Sequence, residues 1–181
     1  MTHFVILKSV LRLRCWRSLK NQLPFLELQN SPSKVKMGYP YFPMTIDHLD
    51  LDEYDSLLLP GAMDIREAIE NEKIIDFIRK FAGKTIGAIS IAPLLLVRAG
   101  FLNGKPFMAG VNKEEVLEEG FSESDLAAMV GWDDNLSSPV EEGYIITGNI
   151  ITSISYNFVK WALAFGKMLG IDISAKTFGI Q

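Results

Sequence analysis

Short unbroken apolar runs, separated by amphipathic ones, limit most tightly what this chain can fold into. HFVIL (3–7), PFLEL (24–28), SLLLP (56–60) and TIGAI (85–89) are of strand length and bounded by turn residues. Between the last two, residues 64–84 (DIREAIENEKIIDFIRKFAGK) set Ile65, Ile69, Ile74, Ile75, Phe77, Ile78 and Phe81 at helical spacings. Gly83 follows the last of them as a stop signal. Strand, helix, strand in succession implies parallel strands, because the helical crossover returns the chain to the end of the sheet where it began. Strands covered on both faces read as continuous apolar runs, and SLLLP and TIGAI do. The expected fold class is α/β: a three-layer sandwich on a mostly parallel, doubly wound, flavodoxin-like sheet.

The remaining stretches fit around that sheet. Residues 30–50 carry three prolines and no helical period, and read as turns with a small β-ribbon. NKEEVLEEG (112–120) and SESDLAAMVG (122–131) are two short helices, the second with a capping box from Ser122 to Asp125. GYIITGNIITS (143–153) reads as a hairpin about Gly148-Asn149. A last helix runs from about Tyr156 to Leu169, with Phe158, Trp161, Ala162, Phe165 and Met168 facing inward. No repeat or linker interrupts the 181 residues, so a single domain, 1–181, is expected.

Composition removes several classes of function. The net charge of −4 offers no positive field for nucleic acid or anionic membranes, and no run approaches the length of a membrane span. Cys15 is the only cysteine, and His3 and His48 are the only histidines, so no spacing resembles a metal site. A lone cysteine fits a reducing, cytoplasmic setting. No glycine-rich phosphate loop occurs, and KSVLRLR (8–14) lacks the small polar residues an FMN phosphate would want, so no cofactor is expected. Lys8, Arg12, Arg14, Arg17 and Lys20 all precede the first acidic residue, Glu27. That start fits an organelle-targeting segment, or a strand followed by a surface helix with Leu11, Cys15 and Leu19 on one face.

Parallel sheets gather their ligands at the C-terminal edges of the strands. The strand at 56–59 leads into PGAMD, TIGAI into Ser90, FMAGVN (107–112) to Gly110 and Asn112, and the strand at 150–152 into Ser153. Ser90 has Ala88 two residues before it and Ala92 two after, where a nucleophile elbow holds glycines; AISIA is thus a softened elbow. Pro93 suits the first turn of the following helix. The Ile91 amide at that helix start, with backbone N–H groups of Gly61 and Ala62, is a candidate stabiliser of negative charge at Ser90. Asp64, Asn112 and Ser153 are candidate pocket residues; for Asp64 the first reading is a cap for the helix that follows, since Asp just before a helix is the expected cap. A serine hydroxyl needs a base, and both histidines lie at the opposite end of the strands.

LDEYDSLLLPGAMD and KTIGAISIAPLLLVRAGFLNGKP resemble the ThiJ/PfpI family, whose fold is that of the class I glutamine-amidotransferase-like domains. The family's YD-x-L-x-x-PGG, A-I-C-H-G-P, LL-x-x-AG-L-L-x-G and DG-N-x-I-T motifs match 54–62, 88–93, 94–104 and 147–152 in that order. The resemblance is clear from about Val35 to Leu169, whereas the first 30 residues are atypical. It implies that the family's nucleophilic cysteine falls on Ser90, the histidine after it on Ile91, and two motif glycines on Ala62 and Ala92. The family's acidic residue after the first strand has no counterpart, since residues 8–26 contain no Asp or Glu. These three losses imply a catalytically degenerate, pocket-bearing binding or stress-related domain that takes a small molecule or peptide. The alternative is a hydrolase, amidase or glyoxalase-type enzyme using Ser90. A redox sensor would have to rely on Cys15. The resemblance also implies a homodimer.

Overall fold

Residues 4–8, 25–27, 43–44, 50–62, 64–134, 138 and 140–180 are described by a computed structural model. Within them, seven strands form one sheet: β1 (Phe4–Lys8), β2 (Phe25–Glu27), β3 (Pro43–Met44), β4 (Ser56–Leu59), β5 (Thr85–Ile89), β6 (Ile145–Thr147) and β7 (Ile150–Ser153). Their order across the sheet is β3-β2-β1-β4-β5-β7-β6. Every pairing is parallel except that of β6 with β7, the hairpin predicted at Gly148, where φ is 62°. Of residues 30–50, in which a β-ribbon was expected, 43–44 form a strand parallel to β2 at the sheet edge. The others up to 49, like the basic stretch 9–24, lie outside the described residues.

The two faces of the central strands feed two separate apolar layers. Leu57 and Leu59 of β4, Ile86 and Ala88 of β5, and Ile150 of β7 pack into one layer. That layer also holds α1 (Arg66–Glu70), α2 (Glu72–Arg79) and α3 (Pro93–Arg98). Leu58, Ile89 and Ile151 pack on the opposite side against Trp161, Ala162, Ala164 and Phe165 of α6 (Phe158–Met168). Strand alternation therefore sends neighbouring residues to opposite layers, and both are apolar. The sandwich and the mostly parallel sheet are those the apolar runs predict.

Over Gly87 the second layer comes very close. A Cβ there would lie 2.9 Å from both Phe165 Cε2 and Trp161 Cζ2. Those two rings stack at 5.6 Å between centroids and 4° between planes, and Trp161 Nε1 donates to the Ile151 carbonyl at 3.3 Å. The absent side chain lets α6 settle onto the sheet at that point.

Two expectations need correction. Residues 64–84 do not form one helix: the chain breaks at Asn71, whose extended backbone (ψ 98°) ends α1. Its side chain accepts from the Lys73 N–H at 3.1 Å and starts α2. The step of five residues from Ile69 to Ile74 marks the break, because a single helix keeps its apolar face with steps of three and four. FMAGVN is not a sheet strand either. β5 already has β4 and β7 on its two edges. The Met108 N–H therefore donates to Thr152 Oγ1, at 2.9 Å, and Gly110 N–H to the Ser90 carbonyl, also at 2.9 Å. α4 (Lys113–Glu118) and α5 (Glu123–Ala127) follow where predicted, the latter with the Ser122–Asp125 capping box.

Candidate functional site

β5 ends at Ile89, and the next residue turns sharply. Ser90 has φ 66°, and it is the only non-glycine with positive φ among the described residues. For an L-residue that conformation costs about 1–2 kcal/mol, so the surroundings must impose it. They do so through the main chain. Ser90 N–H donates to the Ser153 carbonyl and Ser90 C=O accepts from Gly110 N–H, each at 2.9 Å. The turn is thus held between β7 and the loop after Met108. Just beyond it, Ile91 and Ala92 are buried and Pro93 occupies the first turn of α3. Replacing Ser90 with glycine should relieve the strain and raise stability by about 1 kcal/mol in urea denaturation; an unchanged or lower midpoint would contradict it.

Gly61 forms the opposite wall, with φ 82°. A Cβ on it would lie 2.7 Å from the Ile89 carbonyl oxygen and 2.8 Å from Ser90 Cβ. Only a bare α-carbon fits against the turn, and the Pro60-Gly61-Ala62 sequence supplies it. On a third side, a Cβ added to Gly110 would come within 3.6 Å of Ser90 Cα and Ile154 Cβ. Ser90, half-buried, thus sits among Gly61, Gly110, Ser153 and Ile154 at the C-terminal edge of the sheet.

The other candidate side chains are occupied. The exposed Asp64 carboxylate accepts from the Arg66 backbone N–H at 2.9 Å and from Arg66 Nε, and it pairs closely with Nη2. These bonds from Arg66 hold its pKa down at about 2. The geometry is that of a cap, for Ile65 at the helix start has no side-chain cap of its own. Asn112 is exposed and caps α4: its Oδ1 accepts Glu115 N–H at 2.9 Å, and Glu115 Oε2 accepts Asn112 N–H at 2.7 Å. The buried Ser153 hydroxyl donates to the Gly143 carbonyl at 2.5 Å, so this residue meets Ser90 through its main chain. Ala62 is half-buried beside Gly61, and the Ile91 N–H donates to no backbone carbonyl among the described residues.

Among the described residues, no histidine or carboxylate is hydrogen-bonded to the Ser90 hydroxyl, and no group of three or more His, Cys, Asp or Glu side chains converges on a metal position. His3, His48 and Cys15 lie outside those residues. No helix among them is long and apolar enough to cross a membrane.

Sequence reasoning did not find Glu119. The buried carboxylate of this residue reaches back across 54 positions and accepts the Ile65 N–H at 3.0 Å. It stands in KEEVLEEG, where one more glutamate looks like part of a solvated face, so the sequence carries no signal for it.

Comparison with known proteins agrees with the architecture. The sequence profile of the DJ-1/PfpI family matches residues 10–167. A deglycase of Pyrococcus horikoshii and another of Pyrococcus furiosus are each 27% identical over 138 residues, covering 74% of this chain and 74% of the relative. Among solved structures, a DJ-1 superfamily protein of Agrobacterium tumefaciens superposes with a TM-score of 0.64 at 17% identity, over 99% of this chain and 95% of that one. A DJ-1 variant of Schizosaccharomyces pombe gives 0.63 at 15%, over 99% and 95%.

Proposed function

The chain belongs to the DJ-1/PfpI family, and from that premise we propose that it is a member whose elbow persists while its thiol chemistry has been lost. The observation that carries this reading is the identity of the residue at the strained turn. The one described non-glycine at positive φ is a serine. A thiol ionises near neutral pH when its surroundings help it; a hydroxyl does not, and needs a base in contact. The residue after Ser90 is Ile91, an apolar side chain buried in the first layer, where the resemblance places a histidine. No acid stands between Lys8 and Leu26 to take the place of the family's carboxylate. The cleft at Ser90 then serves to bind a small molecule or peptide, in a single-domain, cytoplasmic homodimer.

A second reading has one observation in its favour. Backbone strain is retained at a residue other than glycine, and such strain gathers at functional sites. In that reading Ser90 is the nucleophile of a hydrolase, amidase or glyoxalase-type enzyme, with the N–H groups of Gly61, Ala62 and Ile91 facing the developing charge, and Asp64, Asn112 and Ser153 around the pocket. The deglycase names of the Pyrococcus relatives make glycated amino acids and methylglyoxal the first substrates to try. The wild type and Ser90→Ala should give the same background rate on these, on small amides and on peptides. Turnover by the wild type that disappears in Ser90→Ala would establish the second reading instead.

A further inference from the structure

We propose that Glu119 is a positioning residue for the Ser90 site, tethering the loop that forms its Gly61 wall, and that the tether slackens when the carboxylate takes up a proton. The proposal deepens the reading of Ser90 as a binding cleft and rests on it. Pro60, Gly61 and Ile65 are buried, and Gly61 lies against the Ser90 turn. At the far end of that loop, besides the packing of the Ile65 side chain in the core, the Ile65 N–H donates to Glu119 Oε2 at 3.0 Å. Glu119 is itself fixed as the C-cap of α4, its N–H donating to the Glu115 carbonyl at 3.0 Å, and the first turn of that helix is closed by the Asn112–Glu115 box. Arg98 of α3 secures the next residue, donating through Nη2 to the Gly120 carbonyl at 3.2 Å while its guanidinium lies over the Phe121 ring at 4.5 Å. The Glu119 carboxylate is therefore a polar link between the braced α3–α4 region and the loop that carries Gly61, beside the apolar core that Ile65, Val116 and Phe121 share.

A buried carboxylate that accepts a backbone N–H is a stronger acceptor than the protonated acid, which keeps only its carbonyl oxygen for the purpose. Burial pushes the Glu119 carboxyl above its ordinary value, against the opposing pull of the Ile65 N–H. Asp64 and Glu118 add to the rise, and Arg66 counters it. A raised acid has an uncommon consequence. Protonation favours the folded state overall, because the native site disfavours the charged form, while the local bond to Ile65 weakens. The contribution of Glu119 to global stability and the local protection at Ile65 should thus move in opposite directions as pH falls through the raised value.

Amide hydrogen exchange at Ile65, corrected for intrinsic pH dependence, tests this in the whole protein. Protection should fall about tenfold in Glu119→Ala, and less in Glu119→Gln, which keeps a neutral acceptor of the same shape. Wild-type protection should decline toward the Gln value as pH drops, while the Gln variant stays flat. The site readout is a Ser90→Cys reporter, alkylated by iodoacetamide and followed at the peptide level to separate it from Cys15. Its rate should change severalfold when Glu119→Gln is added. Unchanged Ile65 protection in Glu119→Gln, or a pH response that survives in it, would overturn the proposal, as would an unaltered alkylation rate. Turnover by the wild type would sink the degenerate reading of Ser90 and leave these exchange results standing, so the two failures are distinguishable.

Discussion

Gly61→Ala is expected to destabilise the protein by about 2–4 kcal/mol, visible as a fall in Tm and in the urea midpoint. Two effects add. An alanine at φ 82° carries the left-handed penalty of about 1–2 kcal/mol. Its Cβ also meets the Ile89 carbonyl oxygen at 2.7 Å and Ser90 Cβ at 2.8 Å. Neither neighbour is the free end of a side chain: one is main chain and the other sits on a turn bonded on both sides. Gly83→Ala isolates the first effect, because its φ is 84° and nothing lies within 4 Å of the new Cβ. The difference between the two variants is the crowding at the turn. Equal losses would mean that Gly61 does not support Ser90 as described.

Phe165→Ala should be at least as damaging, at about 3–5 kcal/mol. The ring is fully buried, stacks on Trp161 and covers the bare α-carbon of Gly87. Removing it leaves a cavity between α6 and β5 that rigid strand backbone cannot fill. For a chain of this size the loss corresponds to a Tm lower by roughly 10 °C. Phe158→Ala on the same helix is the contrast. Phe158, expected from its spacing to face inward, is instead 42% exposed and touches Phe178 edge-on at 6.0 Å, so its loss should stay within about 1 kcal/mol. A Phe165 variant as mild as the Phe158 one would mean that the second layer is loosely packed.

The parts of the fold that could be read from the sequence were those with a period. SLLLP and TIGAI read as buried strands because each is a short apolar run of strand length bounded by turn residues, on either side of a helical segment. The hairpin at Gly148 and the box at Ser122 were legible because their residue types have one local use. The break at Asn71 was present as a step of five but was masked by the apolar density on either side. FMAGVN reads as a strand since it is apolar and extended, yet strand status depends on a vacant edge, and the sheet has none there. At the site, AISIA predicts the sharp turn, and Ser90 takes it. Asp64 and Asn112 have roles that residue type alone does not decide. Their residue types suit both a pocket and a helix cap, and only three-dimensional distances show the carboxylate engaged by Arg66 and the amide by Glu115. Glu119 was invisible because its partner is a backbone amide, which every residue possesses.

The clamp on Ser90 acts entirely through main-chain atoms: a carbonyl from Ser153 on one side and an amide from Gly110 on the other. The hydrogen bonds that hold the turn therefore do not depend on which small side chain stands at position 90. A substitution at this position can switch the reactive group without asking the fold to compensate, so folding exerts little selection on which small side chain is kept. Loss of an activity here would leave the scaffold unscarred, and regain would start from a backbone already shaped for it. The same indifference makes residue 90 a practical place to install foreign groups, such as a thiol or a selenol, at an otherwise unaltered bend.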